Sequence, residues 1–268
     1  MNLTYFDIKK GSPLVEEYFS LSFSKEVVPF QSIILPIATS ILTFIYSGNQ
    51  KAIVNNKEMP LDGLIVSGQF FRSYKFIVAS EGFSFGISFH PSTLHKLLKL
   101  DISKLTNKHV LLKEVNPTLF DKFNTIFIKN QKDPKTLVSE LNNLILSLPL
   151  LENDTTKYID ETIDYIRKKD GMLSVEDILK KVPYSQKTLE SHFKKVVGLT
   201  PGKYTRLFRF LNLMRKYESH EIEINDLIYM YDYYDHSHFS KDFVLFMKES
   251  PKSYFKKDYP LIKKVLTK

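Results

Sequence analysis

Tyr233-Tyr234-Asp235-His236-Ser237-His238-Phe239-Ser240-Lys241-Asp242-Phe243, followed seven residues later by Ser250-Pro251, is the stretch on which the fold turns. Asp235 can cap a helix, and Phe239, Phe243 and Phe246 recur at i, i+4 and i+7, the spacing of one helical face. Ser-Pro then supplies a capping hydroxyl and a proline at the first position of a following helix. Fifty residues upstream the same design stands again. Ser185 aligns with Asp235, Leu189 with Phe239, Phe193 with Phe243, Val196 with Phe246, Thr200-Pro201 with Ser250-Pro251, and Tyr204 with Tyr254. Such an internal repeat means one supersecondary unit built twice.

Working outward, each copy is preceded by a short helical stretch, Ser174 to about Lys181 and Asn225 to about Tyr231. Ser174 has Asp177 three residues on, a capping-box pattern. A short helix, a tight turn and a second amphipathic helix form a helix-turn-helix. Between the copies, Pro201 to about Glu218 reads as one longer helix with Tyr204, Leu207, Phe208 and Leu211 on one face. Its length is about 27 Å, close to the ~34 Å between successive major-groove faces of a duplex. Two recognition helices held this way could enter adjacent major-groove segments.

The rest of the chain has another texture. Between Phe30 and His90, short β-branched and aromatic runs (residues 33–35, 41–46, 52–54, 76–78 and 83–89) alternate with turn residues at Ser47-Gly48-Asn49, Asn55-Asn56-Lys57, Asp62-Gly63 and Glu81-Gly82. Strict alternation in Phe83-Ser84-Phe85-Gly86-Ile87-Ser88-Phe89 puts one face on a core and the other toward solvent or a cavity. The expectation is a small antiparallel barrel or sandwich, followed by helices around Leu94, Leu97 and Leu98, from Pro117 through Ile128, and from Lys135 to Leu148. The whole is an α+β chain of two domains, a β-rich unit with its helical extension over 1–154 and an all-α unit over 155–268. Pro149 and the polar run 152–156 mark the linker.

Composition bounds the function. The 268 residues carry a net charge of +8, and residues 155–268 hold 22 Lys and Arg against 16 Asp and Glu, so most of the excess sits with the repeat. That distribution favours a polyanionic partner. The absence of cysteine removes thiolate chemistry and suits a reducing cytoplasm, and no segment has the length and apolarity of a membrane span.

Ser185-Gln186-Lys187-Thr188-Leu189, Phe193 through Pro201, Tyr204, Arg206, Arg209-Phe210 and the 233–243 stretch with Ser250-Pro251 together resemble the DNA-binding domain of the AraC/XylS family of bacterial transcription regulators, over roughly residues 157 to 258. The resemblance implies that the helices near 185–197 and 236–247 read the major groove. The chain departs from the family pattern at Asp232 and Lys248, where glycines are usual, at Leu179 and Ile228, where alanine is usual, and at Ser191, where arginine is usual. The N-terminal part resembles a sensor domain of one branch of the family at Phe85-Gly86-Ile87-Ser88-Phe89-His90-Pro91, Leu97-Leu98 and Leu105-Thr106-Asn107-Lys108, which implies effector binding or protein interaction.

With Leu189 and Phe193 inward, Gln186, Lys187, Glu190 and Ser191 are the base-reading candidates of the first unit, and His236, Ser237, Ser240 and Lys241 those of the second. Lys194, Lys195 and Arg206 are candidates for phosphate. The competing interpretation of each set is an ordinary solvated helix face. His236 and His238 form an H-x-H pair, but a structural zinc site needs about four ligands. His90, His95 and His109 do not follow a metal-enzyme barrel pattern and are expected at the surface or as caps. Phe70, Phe71, Tyr74 and Phe76 are expected chiefly in core packing, with a cavity lining as the alternative. The basic tail from Lys252 is expected to pack on the second unit.

The sequence therefore predicts a regulator rather than an enzyme, with no cofactor, no metal and no membrane contact. Its expected partner is double-stranded DNA, with a small-molecule effector, RNA polymerase and a second copy of the chain as further candidates. The rival function is a ligand- or protein-binding module whose DNA-binding domain has degenerated, motivated by Ser191, Asp232 and Lys248.

Overall fold

Eight strands and twelve α-helices follow one another in a computed structural model that describes residues 1–7, 12–220, 223–231, 233 and 235–268. The strands are β1 (Asn2–Phe6), β2 (Val15–Phe23), β3 (Phe30–Ile34), β4 (Ile41–Val54), β5 (Lys57–Ser67), β6 (Tyr74–Val78), β7 (Gly82–Phe89) and β8 (His109–Leu111). All pairings are antiparallel, in the order β1-β2-β7-β4-β5-β8, with β6 on β4 and β3 on β6. No pairing joins β1 to β8 among the described residues, so the expected barrel or sandwich is one open sheet.

Four strands lie outside the apolar runs seen in the sequence. β1 is half-exposed, β2 interrupts its apolar residues with Glu16 and Glu17, β5 opens on Lys57, Glu58 and Pro60 and carries Asp62-Gly63 in its middle, and β8 has three residues. Ser47-Gly48-Asn49, expected as a turn, is instead a bulge inside β4. Gly48 and Asn49 take φ of 112° and 44°, and the register with β5 shifts between Ile45 and Gln50. The expected turn at Asn55-Asn56 is a hairpin with both residues at positive φ, and Gly63 lies within β5 opposite Ile45.

The sheet has two distinct faces. Tyr18, Leu42, Phe44, Leu64, Val66, Phe85, Ile87 and Phe89 pack against the first four helices, α1 (Thr93–Leu98), α2 (Leu112–Val115), α3 (Pro117–Lys129) and α4 (Pro134–Ser147). The alternation read in β7 is therefore that of a strand with its phenylalanines on a helical layer. The opposite face curls around a cavity lined from all eight strands. Gly86 makes room there, since a Cβ at this position would lie 2.2 Å from the Phe19 ring.

The remaining helices are α5 (Asp154–Lys168), α6 (Val175–Leu179), α7 (Gln186–Val197), α8 (Pro201–Glu218), α9 (Ile224–Met230), α10 (His236–Met247), α11 (Pro251–Tyr254) and α12 (Pro260–Leu266). The polar run 152–156 opens α5 directly, because Asn153 and Thr156 form a capping box. Ile159, Ile163 and Ile166 of α5, Leu189 and Phe193 of α7, Leu207, Phe210 and Leu211 of α8, and Phe239, Phe243 and Phe246 of α10 share one core. Leu35, Ala38 and Phe71 of the β-rich part enter the same core, so the two halves are packed together.

Candidate nucleic-acid interface

The repeat is legible in the atoms that begin and end each recognition helix. Ser185 Oγ accepts from Thr188 N at the start of α7, and Asp235 Oδ1 accepts from His238 N at 2.7 Å at the start of α10. Thr200 and Ser250 cap the following helices α8 and α11 in the same way, through Lys203 N and Ser253 N. Each such cap contributes about 1 kcal/mol. At the far ends Gly198 and Lys248 both adopt the left-handed conformation, with φ of 94° and 58°, and donate to the carbonyls of Lys194 and Val244 at 2.9 and 3.0 Å. Lys248 thus takes the backbone conformation that glycine adopts without strain. The other glycine departure, Asp232, lies outside the described residues. Leu179 and Ile228, the two alanine departures, are accommodated against the shared core.

The faces left outward carry the proposed readers. Gln186, Lys187, Ser191, Lys194 and Lys195 of α7 are exposed, as are His236, Ser237 and Lys241 of α10, while Glu190 and Ser240 are half-buried. Gln186 Nε2 donates to Glu190 Oε1 at 2.9 Å, so these two side chains hold one another one helical turn apart. Val244 is exposed where the repeat places Lys194 in the first unit, which leaves the first unit the more basic of the two. His238 packs edge-on against Tyr233, with ring centroids 5.1 Å apart. Among the described residues no group of three or more potential ligands could hold a metal ion.

Arg206 has another partner. Its Nε donates to Asp242 Oδ1 at 2.5 Å, and Tyr233 Oη donates to Asp242 Oδ2 at 3.0 Å. The guanidinium expected at phosphate is thereby tied to a wholly buried carboxylate that joins α8 to α10. Asp242 escaped the sequence reading, although an acidic residue beside Phe239, Phe243 and Phe246 on an inward helical face is itself a signal of a buried pair.

The β-rich half grips the C-terminal ends of both recognition helices. Thr106 Oγ1 donates to Gly198 O at 2.7 Å, while Ser73 N donates to Phe246 O at 2.6 Å and Ser73 Oγ to Met247 O at 2.7 Å. Carbonyls in the last turn of a helix have no partner within it, and here side chains and backbone of the other half supply one. Phe71 meets Phe246 edge-on with centroids 5.2 Å apart. A second seam joins Glu16 of β2 to Arg167 of α5 at 2.5 Å, and Arg167 to Tyr204 at 3.2 Å.

The basic tail packs on the second unit as expected, with Tyr254, Ile262 and Leu266 in the core that holds Phe243 and Phe246, and it also reaches the sheet. Leu261, Ile262 and Val265 of α12 form part of the cavity wall in the curled sheet, and Lys268 bonds Glu17 on β2 and lies over the Tyr5 ring. The tail packs across to the sheet because its Leu261 and Val265 meet the apolar strand faces. Tyr74 and Phe76 line the same cavity, whereas Phe70 stacks beside Tyr74 and Phe71 faces α10.

The three histidines expected at the surface or as caps are largely enclosed. His95 Nδ1 meets the Leu100 carbonyl at 2.5 Å, His90 lies between Ser92 and Asp160, and His109 Nδ1 is 2.8 Å from Ser67 Oγ. Burial pushes His90 and His109 down to about 4.

Tandem helix-turn-helix units with outward polar faces on a basic domain define a DNA-binding transcription regulator. Residues 178–257 match the family described as a helix-turn-helix domain, and residues 12–111 match a domain of unknown function (DUF6597). No curated protein matches the chain. Among solved structures the chain is similar to ToxT from Vibrio cholerae O395, with 17% identity, 89% of this chain and 96% of that chain covered, and a TM-score of 0.47. A structure of unsaturated fatty acid bound ToxT from strain SCE256 gives 13%, 92%, 96% and 0.46 for the same measures. The AraC-like transcriptional activator CuxR gives 13%, 74%, 74% and 0.27. No described helix is long and apolar enough to cross a membrane.

Proposed function

We propose that this chain is a sequence-specific, effector-responsive transcription regulator in which α7 and α10 enter adjacent major-groove segments. Gln186, Lys187, Glu190 and Ser191 are its first set of base readers, and His236, Ser237, Ser240 and Lys241 its second. Lys194 and Lys195 take phosphate, contributing affinity without sequence information. Arg206, 41% exposed and held by Asp242, is the third phosphate candidate and also ties α8 to α10.

The observation that carries this proposal is the docking of both recognition helices, by their C-terminal carbonyls, on Ser73 and Thr106 of the β-rich half. A molecule entering the sheet cavity meets strands on most sides and α12 on another, so it acts on both halves at once. A ligand shifts such an equilibrium only by its differential affinity for the two arrangements. Selection of full-length protein on random duplexes at two salt concentrations tests the DNA claim. The expected result is a bipartite motif whose affinity falls with salt, and equal affinity for all duplexes overturns it.

A further inference from the structure

The sheet cavity has a definite chemistry. Its volume is about 140 Å³, and its wall is mainly Ile, Leu and Phe side chains from the strands with three more apolar residues from α12. Apolar cavities of that order accept a benzene-sized guest and stay dry without one. A single ring fills that space.

Among the described residues no lysine or arginine stands in the wall, and the one carboxylate there is Glu17. Lys268 is engaged by Glu17 and Tyr5, so among the described residues the wall itself offers an incoming anion an acidic group and no cation. An unpaired charge in an apolar site is strongly disfavoured. Away from Glu17, the wall holds a polar cluster built from Ser67, Tyr74 and His109. Ser67 Oγ meets His109 Nδ1, the Tyr74 ring lies edge-on to the imidazole at 4.8 Å, and Phe70 packs on it from another side. His109 is 94% buried, and its Nε2 has no hydrogen-bond partner. A buried polar atom left without a partner is destabilising, and a ligand group that reaches it removes that penalty.

We infer that the cavity takes a small, neutral, single-ring molecule carrying one hydrogen-bonding group, and that His109 Nε2 is the atom that receives it. Burial keeps the imidazole uncharged at neutral pH, so it pairs with a hydroxyl, amine or carbonyl rather than with a carboxylate. This inference rests on the proposal that the cavity is an effector site, and it narrows the effector's class.

Calorimetry and thermal unfolding of the full chain at pH 7.5 with phenol, toluene, benzoate and oleate test it. Phenol and toluene share one shape and differ in the hydroxyl, benzoate adds a charge, and oleate adds length. Phenol and toluene are expected to bind and raise the melting temperature, and benzoate and oleate to do neither. In His109→Leu the ratio of phenol to toluene affinity is expected to fall about three- to tenfold. Retained toluene binding shows that the variant is folded. Ile65→Phe, which fills the cavity, is expected to abolish both. Benzoate or oleate binding as tightly as phenol overturns the neutral class while leaving the effector site standing, as does an unchanged ratio in His109→Leu for the role of His109. If none of the four binds, the effector cavity itself falls, and the DNA selection described above remains independent of that outcome.

Discussion

Asp242, wholly buried on the second recognition helix, accepts a hydrogen bond from Arg206 of α8 on one oxygen and from Tyr233 on the other. Arg209 lies over the Tyr233 ring at 4.9 Å, so one carboxylate organises three elements of the second unit. Removing Asp242 leaves the buried Tyr233 hydroxyl without its acceptor, while Arg206, 41% exposed, keeps contact with solvent. Asp242→Ala is expected to lower unfolding free energy by about 2 kcal/mol. Urea denaturation measures this, and a loss below about 1 kcal/mol would mean that solvent already screens the pair.

The two lysine classes on α7 separate by specificity. Lys187→Ala is expected to change base preference at one position, whereas Lys194→Ala weakens binding to all sequences alike and reduces the salt slope by about 1. Parallel duplex selections with wild type and both variants check this. Identical motifs for wild type and Lys187→Ala would remove Lys187 from the readers.

Lys248 ends α10 in a left-handed conformation that favours glycine. Lys248→Gly is expected to raise stability by about 1 kcal/mol through relief of Cβ crowding. The lost contact between Lys248 Nζ and Asn55, 3.1 Å long and exposed, offsets little of that. A melting temperature unchanged or lowered in this variant would count against the argument.

Acid sensitivity follows from the enclosed histidines. His109 and His90 titrate near 4 in the folded chain because burial disfavours their charged forms, while an unfolded histidine titrates near 6.5. Around His90, Arg167 and Lys96 lower its value further while Asp160 and Asp164 oppose the shift. Between those values the unfolded chain binds more protons, so stability is full above about 6.5 and falls as pH drops toward 4. Denaturation midpoints at pH 7.5, 6 and 5 are expected to decline in that order, with a shallower decline in His109→Leu. A midpoint that rises toward pH 5 would contradict the assignment.

The helical half was largely legible in the sequence because its signals are local. Ser174, Ser185, Thr200, Asp235 and Ser250 each cap the helix that follows them, and Pro201 to Glu218 is one helix. The sheet was less so. β2 alternates Glu and Ser with its core residues, and whether Glu17 faces water or a cavity depends on a curl set by distant strands. The partners of Arg206 and Lys268 lie 36 and 251 residues away, separations that no periodicity reports. The cavity was foreshadowed by the split character of β7, whose Ser84 stands in its wall, and by the lining alternative for the 70–76 aromatics, of which Tyr74 and Phe76 stand there too.

Thr106 and Ser73, which complete the last turns of α7 and α10, have a consequence for how such proteins can be recombined. A chimera that keeps residues 155–268 and substitutes another N-terminal unit would lose the hydrogen-bond donors that Thr106 and Ser73 supply to both helix ends, and with them this constraint on how α7 and α10 are held. If α7 and α10 read two half-sites as proposed, the operator length would be inherited from the β-rich half, and grafting a new input would alter the output's ruler along with its trigger.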